Sequence, residues 1–193
     1  NRKPELKFIE ANPFVQLSYR DITIQSNLIG AYNYSNIAAA ISIGAYFKVS
    51  EKEIKEAIES YVPQNNRSQI IETANNKIIL DAYNANPSSM RVALENFATI
   101  KTDNKVVIMG DMFELGEESL YEHQAIVDLA TSLSFDEIFL VGENFHQTVS
   151  EKHQFLSYNL LEAYIKKNPL EKKSILIKGS RGMRLERILD VIN

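Results

Sequence analysis

Cysteine is missing from all 193 residues. That excludes disulfides, thiolate metal sites and a cysteine nucleophile, and it fits a cytoplasmic protein. No apolar run approaches the roughly 20 residues of a membrane span, so membrane insertion is not expected. An excess of positive charge is lacking too. Lys and Arg number 21 against 25 Asp and Glu, a formal net charge of −4 with no basic block, which argues against nucleic acid as a partner. Two phosphate-binding signatures are also absent: there is no GxxxxGK[ST] loop, and neither Gly110 nor Gly179 begins a GxGxxG fingerprint. The three histidines, His123, His146 and His153, lack metal-ligand spacing, so no metal site is expected within the chain.

What is present is a globular composition, 45% hydrophobic and 24% charged, in a chain long enough to bury roughly two-thirds of its unfolded surface. That suffices for one generous domain or two small ones. The chain opens on Asn1 and runs straight into mixed polar and apolar sequence; the expectation is a fragment of a longer protein.

Residues 6 to 29 are β-rich, with Leu6 to Ile9, Phe14 to Leu17 and Ile22 to Ile24 as short strands and Asn12-Pro13 and Arg20-Asp21 as turns. A loop at Gly30 leads into a small-residue helix reaching about Phe47, which Ser35 or Asn36 is placed to cap. Ser50-x-x-Glu53 is a capping box for a second helix carrying Ile54, Ala57, Ile58 and Tyr61. Pro63 and the polar run Gln64-Asn65-Asn66 mark a domain boundary, giving domains 1–63 and 64–193.

Beyond the boundary, Gln69 to Thr73 and Lys77 to Leu80 form a hairpin across Asn75-Asn76. Strands follow at Lys105 to Met109, Glu137 to Val141, Phe155-Leu156 and Ser174 to Lys178. They alternate with helices from Pro87 to about Ile100, Ser119 to Leu133, just after Gly142, about Leu160 to Lys167, and a closing helix carrying Leu185, Ile188, Leu189 and Ile192. Such alternation predicts an α/β fold: a Rossmann-like, open, mostly parallel sheet flanked by helices, preceded by a small α+β unit. Five of the seven glycines (Gly110, Gly116, Gly142, Gly179 and Gly182) fall in strand-to-helix loops, on the edge where such sheets bind ligands.

The stretch Ile78 to Met90 is the most informative. Ile78, Ile79 and Leu80 form a buried strand closed by Asp81, and Tyr83, Asn84 and Asn86 crowd the loop. Asn86 suits an N-cap and Pro87 the first helical position, and Met90, Ala93, Leu94 and Phe97 make the apolar stripe of the helix. On spacing alone the asparagines serve the backbone. A second cluster, Lys178-Gly179-Ser180-Arg181, ends the last strand; two cations and free N–H groups at a helix start suit a carboxylate.

Asp81-Ala82-Tyr83-Asn84-Ala85-Asn86-Pro87-Ser88-Ser89-Met90-Arg91 closely resembles a signature of the Mur ligases, ATP-dependent amide-forming enzymes of peptidoglycan synthesis. Gly30 to Asn36, Met109 to Gly116 with His123 following, and Lys178 to Arg181 resemble further family motifs in the expected order. The chain is therefore similar to the end of the family's central ATPase domain (1–63) followed by its C-terminal Rossmann-like domain (64–193). Among members it is most similar to those adding D-alanyl-D-alanine to UDP-N-acetylmuramoyl-tripeptide, which implies those two molecules as substrates and an acyl phosphate as intermediate.

The resemblance also implies roles. Asn33 and Asn36 read the adenine edge, and Arg67 grips ribose or phosphate oxygens. Asp81 accepts from the ribose hydroxyls, while Tyr83, Asn84 and Asn86 line the nucleotide region. Asp111 and Glu114 orient the dipeptide's ammonium group or hold the loop, and Lys178, Ser180 and Arg181 hold a substrate carboxylate. ATP and Mg²⁺ are the implied cofactors, with the phosphate loop and metal ligands upstream, so the fragment alone is expected to be inactive. Two alternatives stay open: another ligase of the superfamily, of the single-amino-acid or folylpolyglutamate type, and a non-catalytic Rossmann-like interaction module.

Overall fold

The computed structural model describes residues 5–64 and 66–192, and the chain forms two compact units, Asn1–Pro63 and Gln64–Asn193. Asn65, in the polar run that marks the boundary, lies outside the described residues.

The first unit is an antiparallel sheet with two helices. Its strands β1 (Leu6–Ala11), β2 (Phe14–Tyr19) and β3 (Ile22–Ile29) lie side by side in chain order. Strand side chains alternate between faces, so Val15, Leu17 and Tyr19 of β2 point together into a core with Ile24 of β3. Ile37 and Ile41 of α1 (Asn33–Tyr46) and Ile54 of α2 (Glu51–Ser60) close it. The capping box at α2 forms: the Glu53 N–H donates to Ser50 Oγ at 3.3 Å, and the Ser50 N–H donates to Glu53 Oε2 at 3.0 Å. Helix α1 begins otherwise than expected. Neither Ser35 nor Asn36 caps it; the helix already starts at Asn33 and has no side-chain cap.

The second unit is a six-stranded sheet in the order β4-β5-β9-β6-β7-β8. Its strands are β4 (Gln69–Glu72), β5 (Lys77–Asp81), β6 (Lys105–Gly110), β7 (Glu137–Val141), β8 (His153–Phe155) and β9 (Ser174–Lys178). Only β4 runs antiparallel to its neighbour. Four central strands are buried on both faces, and period-2 alternation divides their side chains between two cores. Ile78, Leu80, Val106, Ile108, Phe139, Val141, Ile175 and Ile177 face one way, toward Leu161 and Ile165 of α6 (Tyr158–Lys167) and toward Leu185 and Ile188. Val107, Met109, Ile138, Leu140 and Leu176 face the other, under α3 (Pro87–Thr99) and α4 (Ser119–Ser132). Each fully buried Leu, Ile or Phe contributes about 1.5–3 kcal/mol, so this two-sided burial is what makes the continuous apolar runs necessary.

The closing helix is not continuous. Residues Arg181–Met183 and Leu185–Ile188 form two 3₁₀ turns, and only Leu189–Ile192 is α-helical. Arg184 sits between the turns at φ 50°, ψ 44°, a left-handed conformation that interrupts any helix of L-residues. The apolar spacing of Leu185, Ile188 and Ile192 is preserved because 3₁₀ geometry also returns a side chain to the same face every three residues.

Strand β9 enters last and fills the slot between β5 and β6. From β5 the chain passes over one face through α3 to β6, then through α4 to β7; from β8 it returns over the other face through α6. The change of direction leaves a crevice beyond the C-terminal ends of β5, β9 and β6.

Candidate functional site

A cleft of about 520 Å³ opens at that crevice. Three loops line it: 83–86 after β5, 113–115 after β6 and 180–182 after β9.

Buried polar groups hold the three loops in place. Asp111, 3% exposed, accepts from the Asn144 N–H (3.0 Å), Asn144 Nδ2 (3.0 Å) and the Phe145 N–H (2.9 Å) at the start of α5 (Glu143–His146). The Met112 N–H donates to His123 Nε2 at 3.0 Å, and His123 Nδ1 lies 2.6 Å from the Ser119 carbonyl. With Nε2 accepting, the imidazole is neutral and Nδ1 carries the proton. Ser180 joins all three loops: its N–H donates to the Asp111 carbonyl (3.0 Å), and its hydroxyl accepts the Phe113 N–H (2.9 Å) and lies 3.4 Å from the Ala85 carbonyl. Lys178 reaches across from β9 to Asp81 Oδ2 at 2.7 Å and to the Asn84 carbonyl at 3.2 Å. The second Asp81 oxygen accepts the Ser68 N–H at 3.1 Å.

The groups that face outward are different ones. Tyr83, Asn84, Asn86, Glu114 and Arg181 are exposed and line the cleft. The Arg67 guanidinium stacks 3.9 Å from the Tyr83 ring centroid, and that of Arg181 lies 6.0 Å from the same ring. Glu186, 3.7 Å from Arg181, tethers it from behind. Two guanidiniums gathered around one aromatic ring favour an anion with hydrogen-bonding edges, while Glu114 offers a site for a cation.

The expected site residues therefore divide. Asp111, Lys178 and Ser180 do not present their polar groups to a ligand, because their carboxylate, ammonium and hydroxyl are buried and already hydrogen-bonded between the loops. The start of a long helix expected beside Lys178 and Arg181 is absent, since the left-handed Arg184 divides that segment into short turns, so no helix dipole acts there. Asn33, 8% exposed, is also turned inward; its Nδ2 donates to the Ile29 carbonyl at 2.8 Å and its Oδ1 accepts from Asn36 Nδ2 at 2.9 Å. A buried amide needs both ends partnered, and these two contacts provide it. Asn36 remains exposed. Asn86 performs the capping predicted from spacing, accepting the Ser89 N–H at 2.8 Å. Sequence reasoning misses Phe113 and Glu186. An aromatic inside the glycine-bounded loop Gly110 to Gly116 is the one signal that marks Phe113, and nothing local marks Glu186. Among the described residues, no three His, Cys, Asp or Glu gather as a metal site, and no helix is long and apolar enough to cross a membrane.

Strand order and cleft together define a doubly wound α/β class of domain, with its cleft beyond the C-terminal ends of the strands. Residues 66–181 match the family described as Mur ligase, glutamate ligase domain, and the chain belongs to the Mur ligase family. It is 29% identical over 192 residues to the UDP-N-acetylmuramoyl-tripeptide--D-alanyl-D-alanine ligase of Borreliella burgdorferi, covering 95% of this chain and 41% of that one. It is 34% identical over 176 residues to the same ligase of Buchnera aphidicola, covering 88% and 38%. A solved structure of the Acinetobacter baumannii UDP-N-acetylmuramoylalanyl-D-glutamyl-2,6-diaminopimelate--D-alanyl-D-alanyl ligase superposes with a TM-score of 0.80 at 26% identity, covering 97% of this chain and 43% of that one. The chain thus spans about two-fifths of the length of the relatives it matches.

Proposed function

We propose that this chain is the C-terminal portion of an ATP-dependent ligase that joins D-alanyl-D-alanine to UDP-N-acetylmuramoyl-tripeptide. Residues 1–63 are the end of its central ATP-binding domain and 64–193 its C-terminal domain. The observation that carries the reading is the convergence of the Asp81–Asn86, Asp111–Gly116 and Lys178–Arg181 loops on one cleft, with Tyr83, Glu114 and Arg181 facing outward. The relatives at 29% and 34% identity support the choice of substrates.

In this reaction the terminal phosphoryl group of ATP passes to the tripeptide's carboxylate, giving an acyl phosphate and ADP. The amine of D-alanyl-D-alanine then attacks the acyl carbon and phosphate leaves. This chain supplies positioning and fixed charge. Arg67, held on Tyr83, meets the nucleotide's anionic oxygens; Asn84 and Asn86 lie on the same loop, and the free lone pairs of Asp81 accept from ribose hydroxyls. Glu114 orients the dipeptide's ammonium end and Arg181 its carboxylate. In the first unit, Asn36 reads an adenine edge, with Asn33 setting its orientation. The phosphate loop and the Mg²⁺ ligands of the reaction are assigned to the part of the ligase outside this chain, because this chain carries no GxxxxGK[ST] loop; this chain alone is therefore expected to be inactive.

The test is phosphate release by the full-length enzyme with ATP, UDP-N-acetylmuramoyl-tripeptide and a panel of amines. Turnover that needs D-alanyl-D-alanine supports the reading. Turnover with glutamate or a single amino acid, and none with the dipeptide, rejects it.

A further inference from the structure

We infer that Lys178 is a positioning residue acting through Asp81, rather than a ligand of either substrate; the inference rests on the nucleotide role proposed for Asp81. The two residues are the last of β9 and β5, and they are direct neighbours in the parallel register. The Lys178 side chain is 4% exposed, that of Asp81 18%. An ammonium taken out of water costs several kcal/mol unless it is paired and hydrogen-bonded. Here its partners are the Asp81 carboxylate at 2.7 Å and the Asn84 carbonyl at 3.2 Å. No ligand in the cleft reaches an ammonium so enclosed, whereas Arg181 on the same segment is exposed.

The geometry assigns Lys178 two tasks. It clamps one Asp81 oxygen from the sheet side while the Ser68 N–H holds the other, so the carboxylate has one orientation. A carboxylate offers about four acceptor sites; besides these two contacts the Ser68 hydroxyl lies 3.5 Å from Oδ1, and the side chain keeps 18% of its surface exposed. Through the Asn84 carbonyl, Lys178 also sets where the 83–86 loop leaves the strand.

The test uses the full-length ligase with Lys178→Met, Lys178→Arg, Asp81→Asn and the Lys178→Met/Asp81→Asn double variant, reading KM for ATP, KM for D-alanyl-D-alanine and Tm. Expected are a rise of about tenfold in KM for ATP in Lys178→Met, a dipeptide KM within about twofold of the parent, and a double variant no worse than the poorer single one. Lys178→Arg, which keeps a cation at the strand end, recovers part of the ATP affinity. A rise in the dipeptide KM alone would make Lys178 a dipeptide ligand and overturn the inference, as would multiplying effects in the double variant. Should Lys178→Met show no folding transition, Lys178→Arg decides by the same split between the two KM values. If Asp81→Asn leaves KM for ATP unchanged, the nucleotide role of Asp81 falls and this inference with it; if Asp81→Asn raises it and Lys178→Met does not, only the positioning role falls.

Discussion

A Cβ on Gly142 would fall inside the carboxylate of Asp111. Gly142 sits at φ 124°, ψ 168°, a region that side chains do not adopt without strain of about 1–3 kcal/mol. The missing side chain lets the Asp111 carboxylate reach the N–H groups of Asn144 and Phe145 and so fixes the loop that carries Glu114. Gly142→Ala should lower stability by at least about 1–3 kcal/mol in urea unfolding of the chain. An unchanged midpoint would mean that the β6 loop is not held in this way.

Asn76 does more than turn the hairpin its sequence context suggests. It is 4% exposed, and its amide joins three distant places: Nδ2 donates to the carbonyls of Leu170 (2.8 Å) and Ile192 (2.9 Å), and Oδ1 accepts the Lys173 N–H (3.0 Å). Asn76→Ala leaves those groups without partners and should cost about 2–4 kcal/mol. A loss below about 0.5 kcal/mol in the same unfolding experiment would contradict this account.

Tyr83 bears the Arg67 guanidinium on its face, a contact of about 0.5–1 kcal/mol at an exposed site. In the full-length enzyme, Tyr83→Leu should raise KM for ATP, and Tyr83→Phe, which keeps the ring, should change it little. Arg67→Ala combined with Tyr83→Leu should be less than additive. Equal losses in the Phe and Leu variants would point to the hydroxyl and away from the stack.

Burial raises the Tyr158 phenol above its usual range, with the charges of Glu162 and Asp190 adding to the rise and the nearby Arg187 opposing it. The folded state therefore prefers the neutral phenol. Its stabilising effect is full below the unfolded value near 10 and disappears as pH climbs through the higher folded value. Stability should fall above about pH 10 more steeply in the parent than in Tyr158→Phe; parallel profiles from about pH 8 to 11 would reject the claim.

Much of the second unit is legible in its residue order. Short apolar runs at Lys105 to Met109, Glu137 to Val141 and Ser174 to Lys178 mark strands because the middle of a strand buried on both faces favours apolar side chains, polar ones being left to its ends. The Ser50–Glu53 and Asn86–Ser89 caps are legible because their bonds close within three residues. The cleft-facing Tyr83, Glu114 and Arg181 also lie in segments whose residue order alone stands out. The break at Arg184 does not, since the same apolar spacing serves an α-helix and a pair of 3₁₀ turns.

Local order along the chain determined the elements, their caps and the loops in which polar residues collect, because hydrophobic periodicity and capping act between near neighbours. Which polar residues face the cleft and which brace the sheet was decided only in three dimensions. Asp81 and Lys178, 97 positions apart, meet because β9 enters between β5 and β6, and no short-range rule says which slot a late strand will fill. Once they meet, desolvation selects their partners: a buried ammonium must spend its hydrogen bonds on the protein, and only side chains left in water, such as Arg181, remain free for a ligand.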